Sequence, residues 1–108
     1  MIIAVDFDGT LCEHMYPEIG NAKNDIIDKL IDLQLQRKIK LILWTCRDGI
    51  MLEKAVEWCK QKGLFFDAVN DDLPEIKASF TYKSHKVYAD IYLDDRNETL
   101  DYFLTMTI

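Results

Sequence analysis

Ile2-Ile3-Ala4-Val5-Asp6-Phe7-Asp8-Gly9-Thr10-Leu11 is the stretch on which the fold turns. Four apolar residues run unbroken into an acid. Such a run reads as a strand buried on both faces, the habit of parallel sheets. In an extended segment residues i and i+2 point the same way, so Asp6 and Asp8 can face one point while Phe7 turns to the core. Gly9 allows a sharp turn and a close approach of the backbone. Thr10 can hydrogen-bond locally and hold that turn.

Working outward, residues 39–45 (IKLILWT) form a second apolar run, 66–69 (FDAV) a weaker third and 90–93 (DIYL) a fourth. Between the first two lies residues 21–38, with Ile26, Ile27, Leu30, Ile31 and Leu33 or Leu35 at helical spacing. Asn21 or Asn24 can cap that helix. Residues 48–63 place Leu52, Ala55, Val56 and Cys59 on one helical face, with Asp48 as N-cap and Gly63 at the C′ position. Leu11–Gly20 and Asn70–Ser84 resist assignment as regular elements. Loops that long in a small domain are usually functional. The tail LTMTI reads as a short edge strand.

Alternating strands and helices predict an α/β class domain: a single Rossmann-like three-layer α/β/α unit over residues 1–108, with a central parallel sheet. The length of 108 residues argues for one domain, with a radius of gyration of roughly 13 Å. The 49% hydrophobic content supports a core and excludes wholesale disorder. No apolar run approaches a membrane span, and the MIIAVD start lacks the basic region of a signal peptide. The net charge of −6 is spread along the chain and disfavours a general nucleic-acid groove. The odd count of 3 cysteines, Cys12, Cys46 and Cys59, reads as reduced thiols in a cytoplasmic protein.

Ligands of open α/β sheets bind beyond the carboxyl ends of the strands. Those ends carry Asp6 and Asp8, Thr45, and Asp94 with Asp95. Two like charges ~4 Å apart repel by about 4 kcal/mol at an effective dielectric of 20, so converging carboxylates call for a cation. Oxygen ligands on short loops favour Mg²⁺. A lone Asp-Gly or Asp-Asp is ordinary turn chemistry. The ordered set, apolar run-DFDGTL, apolar run-T, Lys, apolar run-DD, is much harder to dismiss.

At these residues the chain resembles the haloacid dehalogenase (HAD) superfamily of phosphohydrolases, in its small capless bacterial or phage type. DFDGTL matches the first motif, LILWT with Thr45 the second, Lys86 or Lys83 the third, and IYLDD the fourth. The motifs span residues 2–95. The first is specific; the second and third are individually weak. The resemblance implies a HAD-like fold and a Mg²⁺-dependent phosphomonoesterase working through an aspartyl-phosphate. It implies Asp6 as nucleophile and Asp8 as the acid and base. It also implies metal ligation by an Asp6 oxygen, the Asp8 carbonyl and the Asp94-Asp95 pair, with Asp95 the direct ligand. Phosphate binding would come from Thr45, the backbone after it and the Gly9 turn, with a Lys neutralising charge. Lys86 lies nearer the fourth strand than Lys83 and is preferred.

Arg47 can grip a substrate phosphate or carboxylate, or pair with Asp48 or Glu53. Arg96 can brace the acidic pair. Cys46 reads as structural, since a thiolate-phosphatase loop needs an Arg where Leu52 stands. His14 and His85 lack partners at zinc-ligand spacing. Trp44 and Trp58 fit the core, while Tyr82, Tyr88 and Tyr92 fit either pocket or packing. Neither Cys12–Gly20 nor Asn70–Lys83 is long enough to fold into a cap. The site is therefore expected to be open or covered by a second subunit, and to suit a bulky phosphorylated group such as a nucleic-acid end. Two other readings remain: a non-catalytic binding protein on the same fold, and a receiver-type phospho-acceptor. The receiver's acidic pair and acceptor Asp occupy different strand ends from those here.

Overall fold

Residues 2–5 form β1 (Ile2–Val5), and their side chains alternate between two cores. In the computed structural model, which describes residues 1–78, 87–96 and 99–108, β1 is followed in order by α1 (Asn24–Leu35), β2 (Lys40–Leu43), α2 (Gly49–Gln61), β3 (Ala68–Val69), α3 (Pro74–Lys77), β4 (Ile91–Leu93) and α4 (Thr99–Thr105). The strands make one four-stranded sheet in the order β3-β2-β1-β4. Every pairing is parallel, with Ile3 opposite Leu41 and Ile91, and Ile42 opposite Ala68. This is a Rossmann-like α/β domain, with a radius of gyration of 13.4 Å.

The strand order dictates where the helices go. β1 to β2 to β3 steps one way across the sheet, so right-handed crossovers put α1 and α2 on the same face. Ile3, Val5, Leu41 and Leu43 meet Ile26, Leu30 and Leu33 of α1 and Ala55 and Cys59 of α2 there. Reaching β4 means crossing back past β1, which puts α3 on the opposite face. Ala4 and Ile42 pack there with Leu73, Val87 and, at the margin, Ile76. Sites such as Leu30 and Leu41, both at 0% exposure, cost about 2–5 kcal/mol on truncation to Ala.

Several expectations need correction. The tail does not form an edge strand. Residues 99–105 are helical because Phe103 faces the α1 side of the sheet, fully buried, and Lys29 donates to the carbonyls of Phe103 and Met106. Neither Asn21 nor Asn24 caps α1. Lys23 holds the cap position because its backbone N–H donates to Leu11 O at 2.9 Å and its ammonium to Gly9 O at 2.6 Å, which ties the helix start to the loop after β1. Leu33, not Leu35, is the buried residue of the last turn. Asp48 takes the N-cap position of α2 without a side-chain hydrogen bond. Gly63 sits at C′ with φ +90°, the left-handed conformation expected there.

Candidate functional site

The carboxyl ends of β1, β2 and β4 lie side by side, as their register requires, and so do the polar residues that follow them. Asp6 follows Val5, its N–H donating to Leu93 O at 3.0 Å. Asp94 and Asp95 follow Leu93 on the neighbouring strand. Carboxylate oxygens of Asp6, Asp94 and Asp95 all lie within 4.8 Å of one another. The early and late acids therefore meet at one point.

Gly9 makes that meeting possible. Its φ is +84°, and a Cβ there would stand 2.2 Å from Asp95 Oδ2. Any larger residue would push Asp95 away from the turn. Thr10 is fully buried and its hydroxyl has no hydrogen-bond partner among the described residues. The turn is held instead by the Thr10 and Leu11 backbone N–H groups, both donating to Phe7 O. This corrects the role expected for the Thr10 side chain.

Crowding shows in the acid strengths. The Asp6 carboxyl is pushed up from its usual 3.8 to about 6. Burial is the main cause. The Phe7 N–H, donating to Asp6 Oδ1 at 2.7 Å, opposes it, and the charges of Asp94, Asp95 and Asp8 add to it. Asp95 is raised too, first by burial and then by Asp94, with Arg96 working the other way. Arg96 also donates its backbone N–H to Asp94 Oδ1 at 2.9 Å, so it does brace the pair.

Asp8 lines the same cavity but its carboxylate is turned to Arg47. Arg47 Nε donates to Asp8 Oδ2 and Nη2 to Asp8 Oδ1, each at 2.8 Å. This is a fork-to-fork pair, the strongest geometry open to the two groups. Arg47 is 2% exposed. Its remaining N–H groups donate to Pro17 O and Met51 O, both at 3.4 Å, and to Glu18 O at 3.0 Å. Its guanidinium lies between the rings of Phe7 and Tyr16, at 4.9 and 5.0 Å from their centroids. Asp8 raises the Arg47 pKa, chiefly through these hydrogen bonds. Arg47 thus pairs with Asp8 rather than with the expected Asp48 or Glu53, and its other donors reach the carbonyls of Pro17, Glu18 and Met51.

Thr45 lines the cavity. Its Oγ1 accepts from the Arg47 N–H at 3.2 Å, and its own N–H donates to Asn70 Oδ1 at 2.8 Å. The Arg47 backbone N–H is thereby engaged within the loop. Asn70, at φ +51°, was not foreseen as a site residue. Its signal lay in its type, since Asn is among the few residues that tolerate that backbone region. Lys83, Lys86, Tyr82 and His85 fall outside the described residues.

The cavity over these groups is about 360 Å³, lined by Asp6, Asp8, His14, Tyr16, Thr45, Cys46, Arg47, Asp95 and Arg96. That lies within the range of small-ligand sites. Cys46, expected to be structural, is exposed on its wall, whereas Cys12 and Cys59 are buried. Burial pushes the Cys59 thiol up to about 12 and raises that of Cys12 as well. His14 and Tyr16 come from the 12–20 loop, held by the Cys12–Ala22 bridge and by the Glu13 N–H donating to Asn21 O at 2.8 Å.

Among solved structures, the chain is similar to a conserved protein coded by a Bacteroides thetaiotaomicron locus. The two share 46% identity over 92% of this chain and 78% of the other, with a TM-score of 0.76. No family model matches the chain, and no curated protein does. No helix among the described residues is long and apolar enough to cross a membrane.

Proposed function

We propose that this chain, which belongs to the same family as the conserved Bacteroides thetaiotaomicron protein, is by the geometry of its own site a Mg²⁺-dependent phosphohydrolase of the haloacid dehalogenase type. The observation that carries the reading is the convergence of Asp6, Asp94 and Asp95 within 4.8 Å at the end of the sheet, beside Thr45. Burial and mutual repulsion raise Asp6 and Asp95, and an all-oxygen, all-anionic donor set of this kind fits a hard divalent cation. Asp6, Asp94 and Asp95 would hold Mg²⁺, with the Asp8 carbonyl as a further oxygen. Bound there, the ion would offset repulsion between an anionic carboxylate and an anionic phosphate.

The chain's own groups supply the rest. Asp6 attacks phosphorus, and its Phe7 hydrogen bond, on Oδ1, leaves Oδ2 as the attacking atom. The Thr45 hydroxyl, its Oγ1 fixed by the Arg47 N–H, donates a hydrogen bond to a phosphoryl oxygen. Asp8, protonated from solvent once it has left Arg47, gives that proton to the leaving oxygen as the phosphorus–oxygen bond breaks, and its carboxylate later takes one from the water that attacks phosphorus and releases Asp6. To do so its carboxylate turns from Arg47 toward the Asp6 side of the cavity, so the fork pair is a resting arrangement. Lys86 neutralises charge on the phosphoryl group, and Lys86→Ala costs more turnover than Lys83→Ala. The thiols suit a cytoplasmic protein, and a second copy could cover the cavity mouth.

The test is phosphate release from p-nitrophenyl phosphate with and without Mg²⁺, beside Asp6→Asn. The expected result is turnover that needs the ion and vanishes in the variant. Undiminished turnover by Asp6→Asn removes the assignment. One observation favours a second reading, a phosphate-binding protein that does no chemistry: both Asp8 oxygens are engaged by Arg47. Phosphate-ester binding without release, in wild type and Asp6→Asn alike, would select it.

A further inference from the structure

We propose that Tyr16 is the specificity-determining residue of this cavity, a stacking wall for a phosphomonoester whose leaving group is a flat aromatic ring. The proposal rests on the phosphohydrolase reading for the phosphate end of that ligand and deepens it at the other end.

Tyr16 and Arg47 are opposites in exposure. Arg47 is 2% exposed and Tyr16 is 51% exposed, yet they are stacked with 5.0 Å between guanidinium carbon and ring centroid. The Tyr16 ring thus has a buried cation over it, half of the residue remains exposed, and it lines the cavity. Among the described residues, the other exposed rings, Phe65, Tyr88 and Tyr102, line no part of that cavity.

The ring is also held in place. Arg47 donates to Pro17 O and Glu18 O, the two residues after Tyr16, and to both oxygens of Asp8. Behind the guanidinium stands Phe7, fully buried and itself edge-on to Trp58 at 5.5 Å. Trp58, Phe7, Arg47 and Tyr16 thus form a chain of contacts, edge-on at its first step, that starts in the core and ends at the cavity. A ring placed this way pays little conformational entropy when a second ring lies on it. In the resting arrangement Asp8, two residues beyond Asp6, accepts from Arg47 and so ties the wall to the loop after β1. A phosphate bound at Asp6 would lie in the cavity that Tyr16, His14 and Arg96 also line, so the group on its ester oxygen is the part that would reach the Tyr16 ring. Planar rings gain from such a surface, and small alkyl groups do not.

Calorimetry with Mg²⁺ present, using phenylphosphonate and methylphosphonate as non-hydrolysable probes, tests the proposal. Wild type is expected to bind the phenyl compound roughly tenfold to a hundredfold more tightly, the range for one aromatic stack. Tyr16→Ala is expected to bring phenylphosphonate down to the affinity of methylphosphonate, and Tyr16→Phe to restore the gap. Equal affinities in wild type, or a gap that survives in Tyr16→Ala, overturn the proposal. So does failure of both probes to bind. A phenyl preference with no phosphate release from p-nitrophenyl phosphate upholds the wall and removes the phosphohydrolase reading. Phosphate release without any phenyl preference does the reverse.

Discussion

Replacing Asp6 by Asn should make the metal-free protein more stable, even though it removes the proposed nucleophile. Asp6 is shifted from 3.8 to about 6 by burial and by its acidic neighbours. Taken whole, that shift is worth about 3 kcal/mol at about 1.4 kcal/mol per unit. Asp6 is only partly buried, and solvent screening reduces the figure to about 1–2 kcal/mol. The carboxylate carries this penalty in the folded state, so the cost is present at pH 7. It fades as pH falls through 6, where the folded protein takes up its proton before the unfolded chain does, and it is gone below about 4. Asn keeps the acceptor oxygen for the Phe7 N–H, so the substitution removes charge with little change of contact. Urea unfolding in EDTA at pH 7.5, 6, 5 and 4 reads the difference directly. Asn should lead by about 1–2 kcal/mol at pH 7.5, and the two proteins should converge at pH 4. A variant no more stable than wild type at pH 7.5 would refute the reasoning from crowding and burial.

Three further outcomes follow from the same geometry. Mg²⁺ at about a hundred times its dissociation constant should stabilise wild type by about 2.7 kcal/mol but give Asp6→Asn or Asp95→Asn much less, as measured by unfolding at rising metal concentration. Arg47→Gln should cost about 3–5 kcal/mol, because Asp8 and the carbonyls of Pro17 and Glu18 lose a buried partner. Arg47→Lys should recover only part of this, since an ammonium cannot form the fork, and a double-mutant cycle with Asp8→Asn should show the coupling. Gly9→Ala should abolish Mg²⁺ stabilisation as well as phosphate release, because the added Cβ falls 2.2 Å from Asp95 Oδ2; metal-dependent melting checks it.

What could be read from the sequence is unevenly spread. The strands were plain because each is a short apolar run ending in a polar residue, and Asp6, Thr45, Asp94 and Asp95 inherit their neighbourhood from strand register alone. The C-terminal segment misled because Thr105, Thr107 and Ile108 have β-branched side chains, while the burial of Phe103 against the α1 side settles the conformation. Tertiary packing overrode local preference. Asp8 and Arg47 are 39 residues apart, and no periodicity relates them. Their pairing depends on the path of the 12–20 loop, which also delivers Tyr16. The absent Arg at position 52 spoke against a thiolate nucleophile but said nothing of where Cys46 lies; its place just beyond the end of β2 puts it on the cavity wall.

Placing β4 beside β1 has a consequence for how the protein is born. The ribosome makes Asp6 well before its partners, Asp94, which lies 88 residues further along the chain, and Asp95. At about 5–20 residues per second, the nascent chain spends roughly 5–20 s with the first carboxylate made and the others still unwritten. During that interval Asp6 has no late acids to crowd it, so the part of its raised pKa that Asp94 and Asp95 cause arises only when β4 docks beside β1.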